Sequence, residues 1–358
     1  NGYNRPGMTI RRYADPEISW EVSYKTNLAM ELTLFKDLNV IWEYFTEKRT
    51  NILQQRRTIP YTMGLWVNPN ANLGEAKGQG TDISITQNYT GRKGFWAQTR
   101  VNFTYAVSEY TKYEDYDYDT EWWKLRIGNS TTQQYGYIAE RLFIDEADVA
   151  NSPLQFGSRQ VLAGDLKYRD LNGDGVINDR DMAPIGYPTT PEIQYGFGSS
   201  LGYKGWDFSF FFNGVHRRSF WIDYEAVSPF FNTTGTSAEG NNALMQFVAD
   251  SYWSEADRNP YAVWPRLSSE LNLVTHNDYR NTWFMRDGAF LRLKSVEMGY
   301  TLPGHLVKRA KMNNLRIYLT SSNLFNISKF KLWDVEMAGN GLGYPIQRTF
   351  NIGMNITF

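Results

Sequence analysis

Cysteine is absent from the 358 residues of this chain, and histidine occurs only three times. The chain therefore has no disulfide bonds, no thiolate nucleophile and no cysteine-built metal site. It also lacks an excess of either charge, because 37 Lys and Arg residues against 38 Asp and Glu residues leave a net charge of −1. Without a positive excess there is no general attraction for nucleic acid, so we expect no nucleic-acid partner.

Uninterrupted apolar runs of 18 residues are absent as well, which excludes a membrane-spanning helix. A membrane-spanning β-barrel stays open, because its strands alternate apolar and polar residues and so dilute the apolar signal. The sequence begins without a basic and apolar leader. We therefore expect either a processed protein or a piece of a longer one.

Alternation of apolar and polar residues with a period of two is the dominant pattern in this aromatic-rich chain, and it is typical of strands with one apolar face. In residues 20–34 nearly every even position is apolar and nearly every odd position is polar. In residues 288–302 the apolar positions change phase around Lys294 and Ser295, which indicates a β-bulge or a wrong boundary. The pattern predicts nine strands, at residues 20–35, 38–53, 78–90, 94–108, 192–203, 206–217, 288–302, 313–324 and 347–358.

The connections between these strands alternate between short and long. Most connections in a compact soluble sandwich have about 4 to 6 residues, so the two long irregular loops at residues 109–191 and 218–287 count against that fold. An outer-membrane barrel has tight periplasmic turns and long extracellular loops. The alternation therefore predicts an all-β, transmembrane antiparallel β-barrel. Its long extracellular loops are at residues 54–77, 109–191, 218–287 and 325–346.

Nine strands are an odd number, whereas bacterial single-chain barrels use an even number, and an open sheet cannot leave its edges unpaired in lipid. We therefore interpret residues 1–358 as the C-terminal part of a single barrel domain whose first strands precede Asn1. In the last strand, alternate residues are apolar up to Phe358, which places the apolar face toward lipid. A terminal aromatic residue resembles the signal by which outer-membrane barrels are recognised for assembly. An ordinary edge strand is the alternative.

Residues 170–181 match the spacing of a calcium-binding loop, with Gly175 at position six permitting the sharp turn. Position twelve is Asp181 rather than the bidentate Glu of an EF-hand, so the affinity stays open. A turn rich in Asp and Asn without a metal is the alternative. Since no amphipathic helix flanks the loop, the predicted role is a structural Ca²⁺ that stabilises the 109–191 connection. The predicted ligands are Asp170, Asn172, Asp174, the carbonyl of Val176, Asn178 through water, and Asp181.

Two further stretches leave their roles open. Residues 113–123 mix carboxylates with aromatic side chains and suit either a ligand contact, a second ion or, as the favoured interpretation, a solvated acidic loop. A group of loop aromatics suits sugar stacking, a partner surface or packing within the loop itself. That group consists of Phe220, Trp221, Tyr224, Phe230 and Phe231.

Four stretches of the chain, in the same order, resemble the SusC/RagA group of TonB-dependent outer-membrane transporters of Bacteroidetes. They are residues 15–34, 164–186, 195–214 and 286–325. The first begins Asp15-Pro-Glu-Ile-Ser-Trp-Glu, and the second contains Gly164-Asp-Leu-Lys-Tyr-Arg-Asp-Leu-Asn-Gly-Asp-Gly. The last contains Arg286-Asp-Gly-Ala-Phe-Leu-Arg-Leu-Lys and Thr320-Ser-Ser-Asn-Leu-Phe. With the terminal strand, these stretches cover the chain from near its start to its end.

The resemblance implies a 22-stranded barrel whose last nine strands are present here. It implies an N-terminal plug and a segment that contacts TonB, neither of which is in this sequence. It also implies a SusD-like surface lipoprotein that closes over the extracellular loops, and a dimer of transporter and lid pairs. The calcium loop agrees with the resemblance, since such loops occur in the extracellular loops of this group.

The predicted function is outer-membrane, TonB-dependent import of oligomeric nutrients, either glycan oligosaccharides or, in some members, oligopeptides. No bond-making chemistry is assigned to this chain, so we expect it not to be an enzyme. A passive porin, which needs neither plug nor TonB, is the second membrane interpretation. A soluble β-rich glycan-binding module or hydrolase is the third. The sequence does not name the substrate.

Overall fold

The computed structural model describes residues 10, 12–116, 118, 120–157, 160–230, 243–268, 277 and 279–358. The chain divides into two compact units. Unit 1 consists of Asn1–Leu28, Tyr44–Gly80 and Ala106–Thr132, and unit 2 consists of Ala29–Glu43, Thr81–Tyr105 and Gln133–Phe358.

Strands dominate the described part of the chain, and its helices are short. The strands are β1 (Val22–Leu34), β2 (Leu38–Gln55), β3 (Asn70–Thr90), β4 (Phe95–Lys112), β5 (Tyr135–Gly136), β6 (Ala139–Leu142), β7 (Leu154–Gln155), β8 (Leu166–Tyr168), β9 (Val176–Ile177), β10 (Ala183–Pro184), β11 (Ile193–Tyr203), β12 (Trp206–His216), β13 (Ser219–Trp221), β14 (Met285–Asp287), β15 (Phe290–Thr301), β16 (Asn314–Ser322), β17 (Asn326–Ser328) and β18 (Thr349–Thr357). The α-helices are α1 (Glu146–Ala150), α2 (Tyr224–Val227), α3 (Gln246–Asp250) and α4 (Gly304–Val307). Among the described residues, no helix has the length and apolar character needed to cross a membrane.

The long strands form one sheet in the order β1-β2-β3-β4-β11-β12-β15-β16-β18, with β17 paired to β15. Each pair from β4 onward is antiparallel. The nine strands predicted from the period-two pattern are all present, and the predicted all-β antiparallel fold is confirmed.

Two details of the strands compare directly with the sequence. Phe211 pairs with Ser295 while the next residue, Phe212, pairs with Leu293, so Lys294 is the extra residue of a β-bulge at the predicted phase change. Strand β3 begins at Asn70 rather than at 78. The sequence prediction missed residues 70–77 because, apart from Leu73, they are polar or small and show no alternation of large apolar side chains. The long connections are accordingly 56–69, 113–192, 217–289 and 323–348.

The register of unit 2 separates the sheet into an apolar and a polar face. Ile317 pairs with Met354, and Leu319 pairs with Ile352. These four side chains are exposed, with Ile352 reaching 83%. A continuous exposed apolar face is costly in water and favourable in lipid.

The hydrophobic core of unit 2 lies mainly in the long connections. It is built from aromatic side chains such as Trp264, whose ring stacks on Tyr224 with centroids 5.3 Å apart and planes 4° apart. Burial raises the pKa of Tyr224 to about 12. The buried members of this loop core are Tyr137, Leu142, Ala163, Leu166, Tyr168, Ile177, Phe220, Ile222, Tyr224, Val227, Val248, Trp253, Ala262, Trp264, Phe284, Phe290, Phe330 and Val335.

Candidate functional site

The polar face of the sheet in unit 2 carries a charged cluster at one end of a cleft of about 450 Å³. Arg316 on β16 donates from Nε to Asp207 on β12 at 3.0 Å and from Nη2 to Glu297 on β15 at 2.5 Å. The guanidinium therefore ties three strands together. Sequence alone did not reveal this cluster, because its members lie up to 109 residues apart; their shared signal is only that each is a polar position in an alternating strand.

Gly299 makes this cluster possible. A Cβ atom at position 299 would overlap the guanidinium of Arg316 and lie 2.6 Å from Asp207 Oδ2. We expect Gly299→Ala to displace the Arg316 guanidinium and to lower the free energy of unfolding by about 0.5–1.5 kcal/mol through the hydrogen bonds that Arg316 then loses. Urea titrations of the full-length protein in lipid vesicles measure this change. Gly304→Ala is the matched control, since nothing lies within 4 Å of its added Cβ, and equal effects of the two variants would disprove the role of Gly299.

Unit 1 contains a second polar cavity, of about 300 Å³, whose charged side chains are paired. Glu47 accepts hydrogen bonds from Ser23 Oγ at 2.6 Å and from Arg49 Nε at 2.8 Å. Arg49 also lies 3.2 Å from Glu21. Charges paired with one another in this way suit the lining of a water-filled space rather than an acid–base pair.

The loops of unit 1 are joined by one carboxylate from the stretch 113–123. Glu114 accepts hydrogen bonds from Arg56 Nε at 2.7 Å, the backbone N–H of Arg57 at 2.7 Å and Thr58 Oγ1 at 2.8 Å. Burial raises the pKa of Glu114, but these hydrogen bonds outweigh burial and leave the pKa below its ordinary value. The favoured interpretation as a solvated loop was therefore wrong for Glu114, whose carboxylate joins this loop to residues 56–58. Asp117 and Asp119 lie outside the described residues.

The loops of unit 1 also expose large aromatic side chains that the sequence interpretation did not single out. Tyr61 is 98% exposed and Trp66 is 76% exposed. Tyr116 and Trp122, from the stretch 113–123, are exposed too. The signal that would have found Tyr61 and Trp66 is an aromatic residue in a non-periodic connection, outside the alternating strands.

The predicted calcium loop is held by its own backbone. Asp170 accepts the N–H groups of Gly173 and Gly175 at 2.7 and 2.8 Å. Asp174 Oδ1 accepts the N–H of Val176 at 2.9 Å, and Asn172 Nδ2 donates to Asp174 Oδ2 at 3.0 Å.

The closing residue of the loop is buried. Asp181 accepts the N–H groups of Leu171 and Asn178, both at 2.9 Å, and Asn178 Nδ2 lies 3.5 Å from the carbonyl oxygen of Val176. The candidate ligand atoms are all oxygens, which Ca²⁺ prefers. Within the part of the chain that the structure describes, however, no three His, Cys, Asp or Glu side chains are grouped as a metal site requires. Calcium binding therefore stays a prediction.

The loop aromatics fall into two groups. Phe220 and Tyr224 are buried in the loop core, and Trp221 donates from Nε1 to the carbonyl of Asn281 at 2.9 Å. For Phe220 and Tyr224, packing within the loops is the interpretation that the structure supports. Phe230 is 44% exposed, and Phe231 lies outside the described residues.

Similarity to known proteins extends over the whole chain. No protein-family model matches it. The chain is 27% identical to TonB-dependent receptor P26 of Formosa agariphila over 100% of its own length and 37% of the receptor. It is 25% identical to TonB-dependent receptor SusC of Bacteroides thetaiotaomicron over 87% of its own length and 29% of SusC. The chain is SusC/RagA-like. This confirms the resemblance inferred from the sequence.

The fold of this SusC/RagA-like chain matches a solved structure as well. The RagAB peptide transporter superposes with a TM-score of 0.64 and 19% identity, over 100% of this chain and 38% of that chain. The match supports the fold. The chain spans only 37% of receptor P26 and 29% of SusC.

Proposed function

We propose that this chain forms the C-terminal strands and extracellular loops of an outer-membrane, TonB-dependent importer of oligomeric nutrients. The observation that carries the proposal is the similarity of the whole chain to TonB-dependent receptors. The exposed apolar face around Ile317, Leu319 and Ile352 supports it, because this face suits contact with lipid.

In this proposal the chain binds and guides its cargo and carries out no chemical reaction. Polar side chains such as Asp207, Glu297 and Arg316 line the path, and the loop core holds the long connections in one conformation. Movement of cargo requires TonB and a plug, which lie outside this chain. A SusD-like surface lipoprotein closes over the loops, and the mass of the purified complex distinguishes one transporter and lid pair from two.

Glycan oligosaccharides are the proposed cargo. Exposed rings such as Tyr61, Trp66 and Trp122 offer flat apolar faces of the kind on which sugar rings stack. Oligopeptides are the other class that a transporter of this kind takes, and they enter as a competing outcome of the test.

The test is uptake by cells that express the full-length protein. Fluorescent oligosaccharide and oligopeptide mixtures are supplied to the unmodified cells and under three test conditions. These are deletion of the TonB gene, deletion of the lipoprotein gene and addition of a protonophore. We expect oligosaccharide uptake to fall to the level of cells lacking the transporter in each of the three conditions. Uptake that persists without TonB and without the proton motive force would identify a passive porin. Selective uptake of peptides would replace the proposed cargo.

We also propose that residues 170–181 bind one structural Ca²⁺. Its support is the spacing of Asp170, Asn172, Asp174, Val176 and Asp181 and their oxygen donors. Tyr137 Oη lies 3.3 Å from Asp179 in this loop, so Tb³⁺ bound there should show luminescence excited through the tyrosine. We expect saturable luminescence that Ca²⁺ displaces, and a loss of at least about tenfold in affinity in a variant carrying Asp170→Ala and Asp174→Ala.

The exposed Asp257→Asn is the control for these substitutions. Terbium binding that the double variant leaves unchanged, or no displaceable binding at all, would favour the metal-free turn. Tyr137→Phe separates the two parts of the signal, because it should remove the luminescence without changing the Ca²⁺ affinity measured by calorimetry.

A further inference from the structure

The long connections of unit 2 line an open pocket of about 520 Å³ that neither the polar face nor the calcium loop includes. We call it the arginine pocket; its defining residues are Arg218, Trp221, Asp223, Tyr279 and Arg280. Its volume lies in the range of small-ligand sites.

The wall of the arginine pocket is rigid. Trp221 donates its indole N–H to the carbonyl of Asn281 at 2.9 Å, and Asn281 is fully buried. The backbone N–H of Asp223 donates to the carbonyl of Gly339 at 3.0 Å. A Cβ atom at position 339 would overlap the carbonyl oxygen of Trp221. The backbones of these two segments are therefore in direct contact, and the pocket exists before any ligand arrives.

Two arginines give this pocket an unbalanced charge. Arg280 donates from Nη1 to Gln134 Oε1 at 2.7 Å, and its guanidinium lies 5.4 Å from the Trp221 ring centroid. Arg218 donates from Nε to the carbonyl of Thr189 at 3.2 Å. These partners are neutral, and among the described residues no ion pair joins either arginine to a carboxylate.

The one acidic residue of the arginine pocket is already engaged. Asp223 begins helix α2, and its Oδ1 accepts the N–H of Ala226 at 3.0 Å. The lining of the pocket therefore contains two guanidinium groups and one carboxylate, which serves as a helix cap. Each guanidinium retains N–H donors in the planar arrangement that matches a carboxylate group.

We propose that the arginine pocket binds a uronic-acid residue of an acidic oligosaccharide. Arg218 and Arg280 pair with the sugar carboxylate, and the flat side chains of Trp221 and Tyr279 pack against the apolar face of the pyranose ring. This rests on the proposed function and deepens it, because it names the class of glycan. The aromatic walls favour a sugar over an acidic peptide, whose side chains present no comparable flat face.

Calorimetry on the full-length protein in detergent tests the proposal with three probes: a galacturonic-acid hexamer, maltohexaose and hexaglutamate. We expect the uronate hexamer to bind at least about tenfold more tightly than either of the others, with an affinity that falls as salt rises. A variant carrying Arg218→Gln and Arg280→Gln should lose at least about tenfold in affinity for the uronate. Lysine at both positions should restore part of the loss, since it keeps the charge without the planar donors.

Arg258→Gln is the matched control, because Arg258 forms an exposed ion pair with Glu255 and does not line the pocket. Equal binding of uronate and maltohexaose, an unaffected double glutamine variant, or no uronate binding would each overturn the proposal. Preference for hexaglutamate would overturn the glycan class. These results are separable from the proposed function, because TonB-dependent uptake of neutral oligosaccharides would persist if the arginine pocket had no role.

Discussion

Replacing Arg292 with methionine is expected to open the loop core, because it removes a buried guanidinium that pairs with two partly buried carboxylates. The Arg292 side chain is 2% exposed. Its Nη2 lies 2.6 Å from Asp334 Oδ1 and 2.7 Å from Oδ2, and its Nε lies 2.5 Å from Glu336. Breaking a buried ion pair at one partner costs about 3–5 kcal/mol, since the other charge is left uncompensated.

Hydrogen exchange of the full-length protein measures this cost locally. We expect amides of residues 328–337 to exchange at least about 100-fold faster in Arg292→Met. A triple variant that adds Asp334→Leu and Glu336→Leu should recover much of the protection, because the stranded carboxylates are then removed. The exposed Arg258→Met should change nothing. Unchanged exchange in Arg292→Met would show that the cluster does not stabilise the loop.

Trp264→Ala is expected to have an effect of similar size on the same loops. Trp264 is fully buried, and its ring centroid lies 5.3 Å from that of Tyr224 and 5.1 Å from that of Phe284. Its backbone also pairs with Trp253 and Ser251. Removing a buried tryptophan side chain costs about 3–5 kcal/mol, because the walls of a core collapse only in part.

The measurement is again hydrogen exchange, over residues 219–227 and 280–286. Protection there should fall by at least about 100-fold, and the pKa of Tyr224 should move down toward its ordinary value as water enters. Trp122→Ala is the matched control, because Trp122 is 72% exposed and its loss should cost less than about 0.5 kcal/mol. Comparable effects of the two substitutions would contradict the assignment of Trp264 to the loop core.

The strands could be predicted from the sequence because each presents one face to a uniform environment. The apolar residues therefore recur with a period of two. Even the bulge at Lys294 is visible in the sequence as a change of phase, since an extra residue moves every later side chain to the other face. The start of β3 shows no such pattern, because residues 70–77 are polar or small apart from Leu73.

The loop core could not be predicted in the same way. Trp264, Phe284 and Tyr224 come from segments without periodicity, and only the folded chain brings them together. The same holds for Arg292 with Asp334, and for Arg218 with Arg280. The predicted calcium loop is the reverse case: its spacing is local and visible in the sequence, but among the described residues its carboxylates accept backbone N–H groups and are not grouped as a metal site requires.

The most direct test of the central claim is which face of the sheet contacts lipid. Because these 358 residues contain no cysteine, Ile317→Cys, Tyr318→Cys, Leu319→Cys and Thr320→Cys each introduce a single spin-label site into this part of the full-length protein in nanodiscs, and the protein without the introduced cysteine gives the background. Collisions with oxygen report lipid, and collisions with a water-soluble nickel chelate report water. An outer-membrane barrel predicts an oxygen-to-nickel ratio that alternates with a period of two and is high at 317 and 319. Equal, nickel-dominated exposure at all four positions would contradict it and identify a solvated sheet.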